Sequence, residues 1–230
     1  MSAGSGAGDG SGDGAPTNDD VKAALLAVAK EMLDSGLVQG TAGNVAARLP
    51  DGNAVLTPSS LDYRTMTLDD LVVCDLDGNV LEGHRGPTSE KALHLTALRR
   101  YPEIGATMHC HAKHCTMFAL TRRPVPAVIE EFVVYVGGDV PIADYRTTGS
   151  DELAEEVSRW VGDRSAVLMA NHGLFAVGKD PADVLHIAGL VERTAEIVWG
   201  AQRLGDIVPL PEDTQSTFAG YYRYGRTGQF

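Results

Sequence analysis

Small and polar residues fill the first stretch of the chain, and a periodic pattern begins at Asn18. From there Val21, Ala24, Leu25, Val28, Met32 and Leu33 recur on one side at helical spacing. They predict a helix that Asp19 and Asp20 suit at its start and Gly36 closes. Two short runs follow, Ala54-Val55-Leu56 and Leu71-Val72-Val73-Cys74, divided by turn residues, and Asp77-Gly78 reads as a hairpin turn, so antiparallel strands are expected. Helical patterns return over Ser89 to Arg100, over Asp151 to Val161 behind a Ser150 cap, and over Pro181 to Leu204. In the last of these Asp180 can cap and Pro181 takes the first helical position. Helices interleaved with hairpin-connected strands imply a mixed α/β domain, its helices packed on a mainly antiparallel sheet.

The chain has 230 residues, of which 43% are hydrophobic, enough for one sizeable core and a single domain over residues 18–230. Met1 to Thr17, built mostly of Gly, Ser, Ala and Asp, cannot bury enough apolar surface to offset its ordering entropy and is expected to be a disordered tail. No apolar run approaches the roughly 18 residues that a membrane span needs, and the N-terminus lacks the pattern of a secretory signal, so a cytoplasmic location with no membrane partner is expected. Cys74, Cys110 and Cys115, an odd number, point to core thiols in a reducing compartment and against a disulfide framework. A formal net charge of −12 argues against nucleic acid as a partner. It does not exclude a small phosphate held by backbone N–H groups and hydroxyls.

The segment Gly105-Ala106-Thr107-Met108-His109-Cys110-His111 has the character of a strand, whose two-residue period puts Thr107, His109 and His111 on one face. Two imidazoles so placed have Cβ atoms roughly 6 to 7 Å apart and can converge on one ion at about 2.1 Å per Zn–N bond. A His-x-His pair alone also fits surface or core histidines. His172, in Ala170-Asn171-His172-Gly173-Leu174, lies between two apolar runs, where it either supplies a third ligand or hydrogen-bonds a backbone carbonyl. Gly173 would allow close backbone approach. Three histidines with a fourth position open is the arrangement of catalytic, not structural, zinc.

Glu90 opens a helix after Gly86-Pro87-Thr88-Ser89, a position where a carboxylate either complements the helix dipole or serves as an acid/base. Thr88 and Ser89 add hydroxyls and N–H groups at the helix N-terminus, which favours an anion. Gly40-Thr41-Ala42-Gly43-Asn44 and Thr57-Pro58-Ser59-Ser60 offer the same chemistry, although each alone reads as an ordinary loop. His84, His94, His114 and His186 show no comparable spacing and are read as structural or solvent-exposed.

Taken in order, Thr41-Ala42-Gly43-Asn44, Thr57-Pro58-Ser59-Ser60, Pro87-Thr88-Ser89-Glu90, His109-Cys110-His111 and Asn171-His172-Gly173-Leu174 resemble the L-fuculose-phosphate aldolase family of class II aldolases. The resemblance runs from about Val21 to the C-terminus. It implies a three-layer α/β/α sandwich around a central, mainly antiparallel sheet, and a homotetramer with active sites between neighbouring subunits. His109, His111 and His172 are then the ligands of Zn2+, with Mn2+, Co2+ and iron as other divalent candidates. Glu90 covers the open side as acid/base, and Gly43, Asn44, Ser59, Ser60, Thr88 and Ser89 meet the substrate phosphate. Tyr224, in Tyr222-Arg223-Tyr224-Gly225, matches a catalytic family tyrosine contributed near a neighbouring subunit's site. The implied reaction cleaves a ketose 1-phosphate, such as L-fuculose 1-phosphate, to dihydroxyacetone phosphate and an aldehyde. A Lewis acid stabilises the enediolate left by carbon–carbon cleavage while Glu90 moves a proton.

Two departures from the family pattern bear on specificity. Glu131, in Ile129-Glu130-Glu131-Phe132, stands where the family has a tyrosine that assists at the aldehyde oxygen. Ser60 replaces a usual glycine, and Thr88 a common serine. Related epimerases, dehydratases and decarboxylases use a similar histidine site, and glutamate at position 90 favours an aldolase over an epimerase, for which aspartate is expected. A non-catalytic adducin-like interaction module shares the fold, and the complete histidine and glutamate set here speaks against it.

Overall fold

The computed structural model describes residues 15–228. Residues 1–14 of the expected tail lie outside the described residues, but Thr17 belongs to the fold. Its hydroxyl accepts from the Asp20 N–H at 3.2 Å, and the Asp20 carboxylate accepts from the Thr17 N–H at 2.9 Å. This reciprocal cap, one residue ahead of the expected boundary, starts α1 (Asn18–Asp34), and Asp19 and Asp20 fall in its first turn. Leu25, Val28, Ala29, Met32 and Leu33 bury one side, and Gly36 leaves the helix at φ +78°.

Eight strands follow: β1 (Asn44–Arg48), β2 (Ala54–Leu56), β3 (Val72–Cys74), β4 (Val80–Glu82), β5 (Ala106–Cys110), β6 (Ile142–Ala143), β7 (Ala166–Met169) and β8 (Gly173–Gly178). They form one sheet in the order β4-β3-β2-β1-β5-β8-β7-β6. Every pairing is antiparallel except β6 with β7. Asp77-Gly78 lies in the β3–β4 turn as expected, with Gly78 at φ +92°.

Alternation along the strands sorts the core into two layers. Val45, Ala47, Val55, Met108, Cys110, Leu168 and Leu174 pack against α1, α3 (Lys113–Thr121), α4 (Glu130–Val136) and α6 (Pro181–Ala201). Ala46, Leu56, Val72, Val167, Phe175 and Val177 pack against α2 (Lys91–Arg100) and α5 (Asp151–Ser158). Each fully buried aliphatic side chain contributes about 1.5–3 kcal/mol of apolar transfer, which is what holds three layers together. The last helix, α7 (Glu212–Thr227), lies on α4, where Gly137 leaves room for Tyr222: a Cβ there would come within 2.5 Å of the Tyr222 ring. Asp180 and Pro181 start α6 as predicted, and Ser150 caps α5.

Cys74, Cys110 and Cys115 are buried free thiols, as expected of core residues, and burial pushes Cys110 up to about 12. Among the described residues no helix is long and apolar enough to cross a membrane.

Candidate metal centre

The central strand β5 is clamped between β1 and β8, which places His109 opposite Asn44 on one side and Phe175 on the other. His111 follows one residue past the strand end, and His172 sits in the turn between β7 and β8. The turn is tight: Asn171 adopts φ +57°, and a Cβ on Gly173 would come within 2.4 Å of the Cys110 carbonyl oxygen and 3.3 Å of the His109 ring. Only glycine permits that approach.

Candidate ligand atoms of His109, His111 and His172 all lie within 4.8 Å of one another. His109 is wholly buried, His172 half-buried and His111 exposed, which gives the cluster a floor and an open side. The His109 Nδ1 donates to the Leu174 carbonyl at 3.0 Å, so its Nε2 carries the lone pair and accepts from His111 Nε2, 3.0 Å away. Burial, helped by the neighbouring His172 and His111, pushes His109 well below the ordinary imidazole range. Burial and His172 also lower His111, against the pull of Glu90. Both rings are therefore neutral at neutral pH, the form that binds metal.

Glu90 occupies the N-cap position of α2 but makes no side-chain cap, and the helix starts at Lys91, two residues later than expected. Its carboxylate turns inward instead. Oε2 accepts from Asn44 Nδ2 at 2.9 Å and lies 3.4 Å from His109 Nε2; Oε1 lies 3.6 Å from His172 Nε2. Oε1 is buried with no hydrogen-bond partner. An unpaired buried acceptor costs about 1–3 kcal/mol, and more when charged, unless something meets it. Three converging imidazole nitrogens beside that oxygen fit a divalent cation, and His109, His111 and His172 could hold one.

The expected phosphate residues fall into three groups. Thr57–Ser60 and Gly86–Ser89 are laced together, Ser59 N–H donating to the Gly86 carbonyl at 3.0 Å and Thr88 N–H to the Thr57 carbonyl at 3.1 Å. Ser59, Ser60 and Ser89 are exposed, whereas Thr88 is buried and its hydroxyl accepts the Glu90 N–H at 3.2 Å. Gly43, at φ +75°, runs so close to β5 that a Cβ would meet the His109 carbonyl oxygen at 2.8 Å. The Asn44 side chain is buried and engaged by Glu90 and by His94, so it holds the carboxylate in place.

His94, read from the sequence as structural or solvent-exposed, is structural, but its part beside the site was not expected. It is fully buried on α2, 2.6 Å from Asn44 Oδ1 and 2.7 Å from Thr107 Oγ1. A histidine on the apolar side of a predicted helix was the available signal. Two other residues singled out in the sequence, Glu131 and Tyr224, lie on α4 and α7. Glu131 pairs with Arg193 on α6 at 3.1 Å. Tyr224 is half exposed on α7, a helix that Tyr222 ties to Ser165, at the end of β7 away from His172.

An α/β/α sandwich with a three-histidine cluster and an inward carboxylate at the end of a central strand could hold a metal ion. The comparisons narrow it. Residues 23–199 match the family described as the Class II Aldolase and Adducin N-terminal domain. A 5-deoxy-D-ribulose 1-phosphate aldolase of Bacillus thuringiensis serovar kurstaki is 34% identical over 88% of this chain and 95% of its own length. An L-fuculose phosphate aldolase of Escherichia coli O6:H1 is 36% identical over 80% of this chain and 85% of its own. An L-ribulose-5-phosphate 4-epimerase of Salmonella paratyphi B is 35% identical over 73% and 78%. A solved L-fuculose 1-phosphate aldolase superposes with a TM-score of 0.84 at 34% identity, over 89% of this chain and 96% of that one. The chain belongs to the class II aldolase and adducin family.

Proposed function

We propose that the protein is a divalent-metal-dependent lyase that cleaves a ketose 1-phosphate to dihydroxyacetone phosphate and an aldehyde. The observation that carries this reading is the Glu90 carboxylate, buried, held through one oxygen by Asn44, and left with Oε1 free beside three histidines. His109, His111 and His172 would hold the ion, zinc being the natural partner of such a set, with manganese or cobalt as substitutes. When bound, the ion supplies Lewis-acid stabilisation of the negative charge that carbon–carbon cleavage leaves on the ketone half.

The chain's own residues do the rest. Cleavage passes the hydroxyl proton of the aldehyde half to Glu90, whose Oε1 is uncommitted, and the electrons of the broken bond form an enediolate. Glu90 then returns that proton to the enediolate carbon. The exposed Ser59, Ser60 and Ser89 would bind the phosphate through their hydroxyls without adding positive charge. Gly43 lets the backbone approach, and Thr88 acts from below by fixing the Glu90 N–H. The aldehyde side would be served by the partner subunit's Tyr224 in a homotetramer, since α7 carries Tyr224 away from the site of its own chain.

The second reading, epimerisation of a pentulose phosphate, is favoured by the 35%-identical epimerase. Two measurements separate them: elemental analysis of the purified protein, and coupled detection of dihydroxyacetone phosphate from L-fuculose 1-phosphate and 5-deoxy-D-ribulose 1-phosphate, with L-ribulose 5-phosphate tested for epimerisation. Bound metal with triose phosphate release supports the aldolase. Bound metal with epimerisation and no release overturns it, and a metal-free protein inactive after metal addition points to an interaction module.

A further inference from the structure

A second carboxylate caps the helix that follows His111. α3 begins two residues after His111, and its N-cap is Ala112, which has no side chain able to accept a hydrogen bond. The cap comes from another helix. Glu192, on α6, accepts the His114 N–H at 2.9 Å through Oε1 and the Cys115 N–H at 2.9 Å through Oε2, and Oε1 lies 2.8 Å from His114 Nδ1. The Trp199 ring, 5.7 Å from that of His114, covers the group. His111 thus hangs in a two-residue junction. Upstream, β5 is fixed by β1 and β8; downstream, Glu192 holds the first turn of α3 through the His114 and Cys115 N–H groups. His111 is also the exposed member of the cluster, so beyond its contacts with His109 and His172 its place is set by the backbone.

We propose that Glu192 is a positioning residue for His111: by capping α3 across the helix interface it sets the backbone from which His111 reaches the other histidines, and it raises metal affinity without touching the metal. The proposal rests on the reading of His109, His111 and His172 as a metal site.

The test titrates Zn2+ alone against a chromogenic chelator, using the full chain and its Glu192→Gln, Glu192→Ala and Tyr222→Phe variants, each well below its melting temperature. Glutamine keeps the volume of Glu192 but turns one acceptor oxygen into an amide donor, which cannot accept a backbone N–H. The Zn2+ Kd is expected to rise about tenfold in Glu192→Gln, the low end of what outer-shell changes do to metal affinity, and further in Glu192→Ala. Amide exchange at His114 and Cys115 should quicken in the same variants. Tyr222→Phe, which loses contacts with Ser165 and Arg226 at the other end of β7, should lower Tm and leave Kd unchanged. If Glu192→Ala does not fold, Glu192→Gln carries the test. A parent-like Kd in Glu192→Gln, or an equal rise in Tyr222→Phe at matched loss of Tm, overturns the proposal while the metal site stands. A parent chain that binds no Zn2+ overturns the metal-site reading itself, and this proposal with it.

Discussion

His94 Nε2 lies 2.6 Å from Asn44 Oδ1, and this contact gives direction to a buried row of hydrogen bonds that ends at Glu90. An amide oxygen only accepts, so His94 carries its proton on Nε2. Its Nδ1 then accepts from the Thr107 hydroxyl at 2.7 Å, and Asn44 Nδ2 donates to Glu90 Oε2 at 2.9 Å. Every member is satisfied while His94 stays neutral, and Glu90 is left with one oxygen fixed and the other free.

Acid should therefore attack the fold through His94. Burial pushes its pKa down to about 3, opposed by Glu90 and aided by His109. An unfolded imidazole titrates near about 6.5, so between these values the unfolded chain binds a proton that the native chain does not. Stability is fully present above about pH 6.5 and is lost as pH falls toward 3, at about 1.4 kcal/mol per pH unit for this group. His94→Gln removes that titration. Urea unfolding at pH 7, 6 and 5 should show a slope against pH smaller by about one proton in the variant; equal slopes would mean that His94 is not held neutral.

Glu90 and His109 touch one another but are expected to fail differently. His109→Ala removes a neutral nitrogen from the floor of the cluster, so metal and turnover should vanish together, and elemental analysis finding stoichiometric metal in that variant would defeat its role as a ligand. Glu90→Gln keeps the Asn44 contact within reach and should retain most metal, while turnover falls by about 100-fold or more, as expected when a general acid/base is lost. Unchanged turnover would remove Glu90 from the chemistry.

What the sequence disclosed follows from the range of the interactions. His109 and His111 could be paired because a two-residue strand period is local, and His172 because apolar runs flank it. The long helices α1 and α6 were legible from spacing and caps. α3, α4 and α7 were not: α4 reads Glu-Glu-Phe-Val-Val-Tyr-Val, a β-branched run whose helical state is set by packing against α6 and α7. The part played by His94 was hidden because its partners stand at positions 44 and 107, brought together only by the pairing of β1 with β5. Position alone left Glu90 between a helix-dipole role and an acid/base, and the resemblance implied the second; the hold that Asn44 keeps on its carboxylate depends on the placing of β1 and was not legible.

The start of α1 offers a test of where the domain begins. Thr17 and Asp20 satisfy each other's backbone N–H groups. Thr17→Ala should cost about 1 kcal/mol, readable as a lower urea midpoint at unchanged slope. No change would return Thr17 to the tail.

Ser60 allows stability and substrate binding to be separated at one position. Its φ of +57° lies in the left-handed region, where a residue with a Cβ pays about 1–2 kcal/mol and glycine pays nothing. Glycine also loosens the unfolded chain, at a cost of about 0.5–1 kcal/mol, so Ser60→Gly should leave a net gain of about 0.5–1 kcal/mol. The side chain is exposed, and its hydroxyl, 3.4 Å from that of Ser59, makes little packing to lose. A gain of that size is a rise in Tm of about 2 °C in a chain this long. If the hydroxyl also grips the substrate phosphate, KM for the sugar phosphate should rise in the same variant while kcat holds. A raised Tm with unchanged KM would take the Ser60 hydroxyl out of the phosphate site and leave the grip to Ser59, Ser89 and the backbone, whereas a lowered Tm would show that the left-handed turn does not burden the native state.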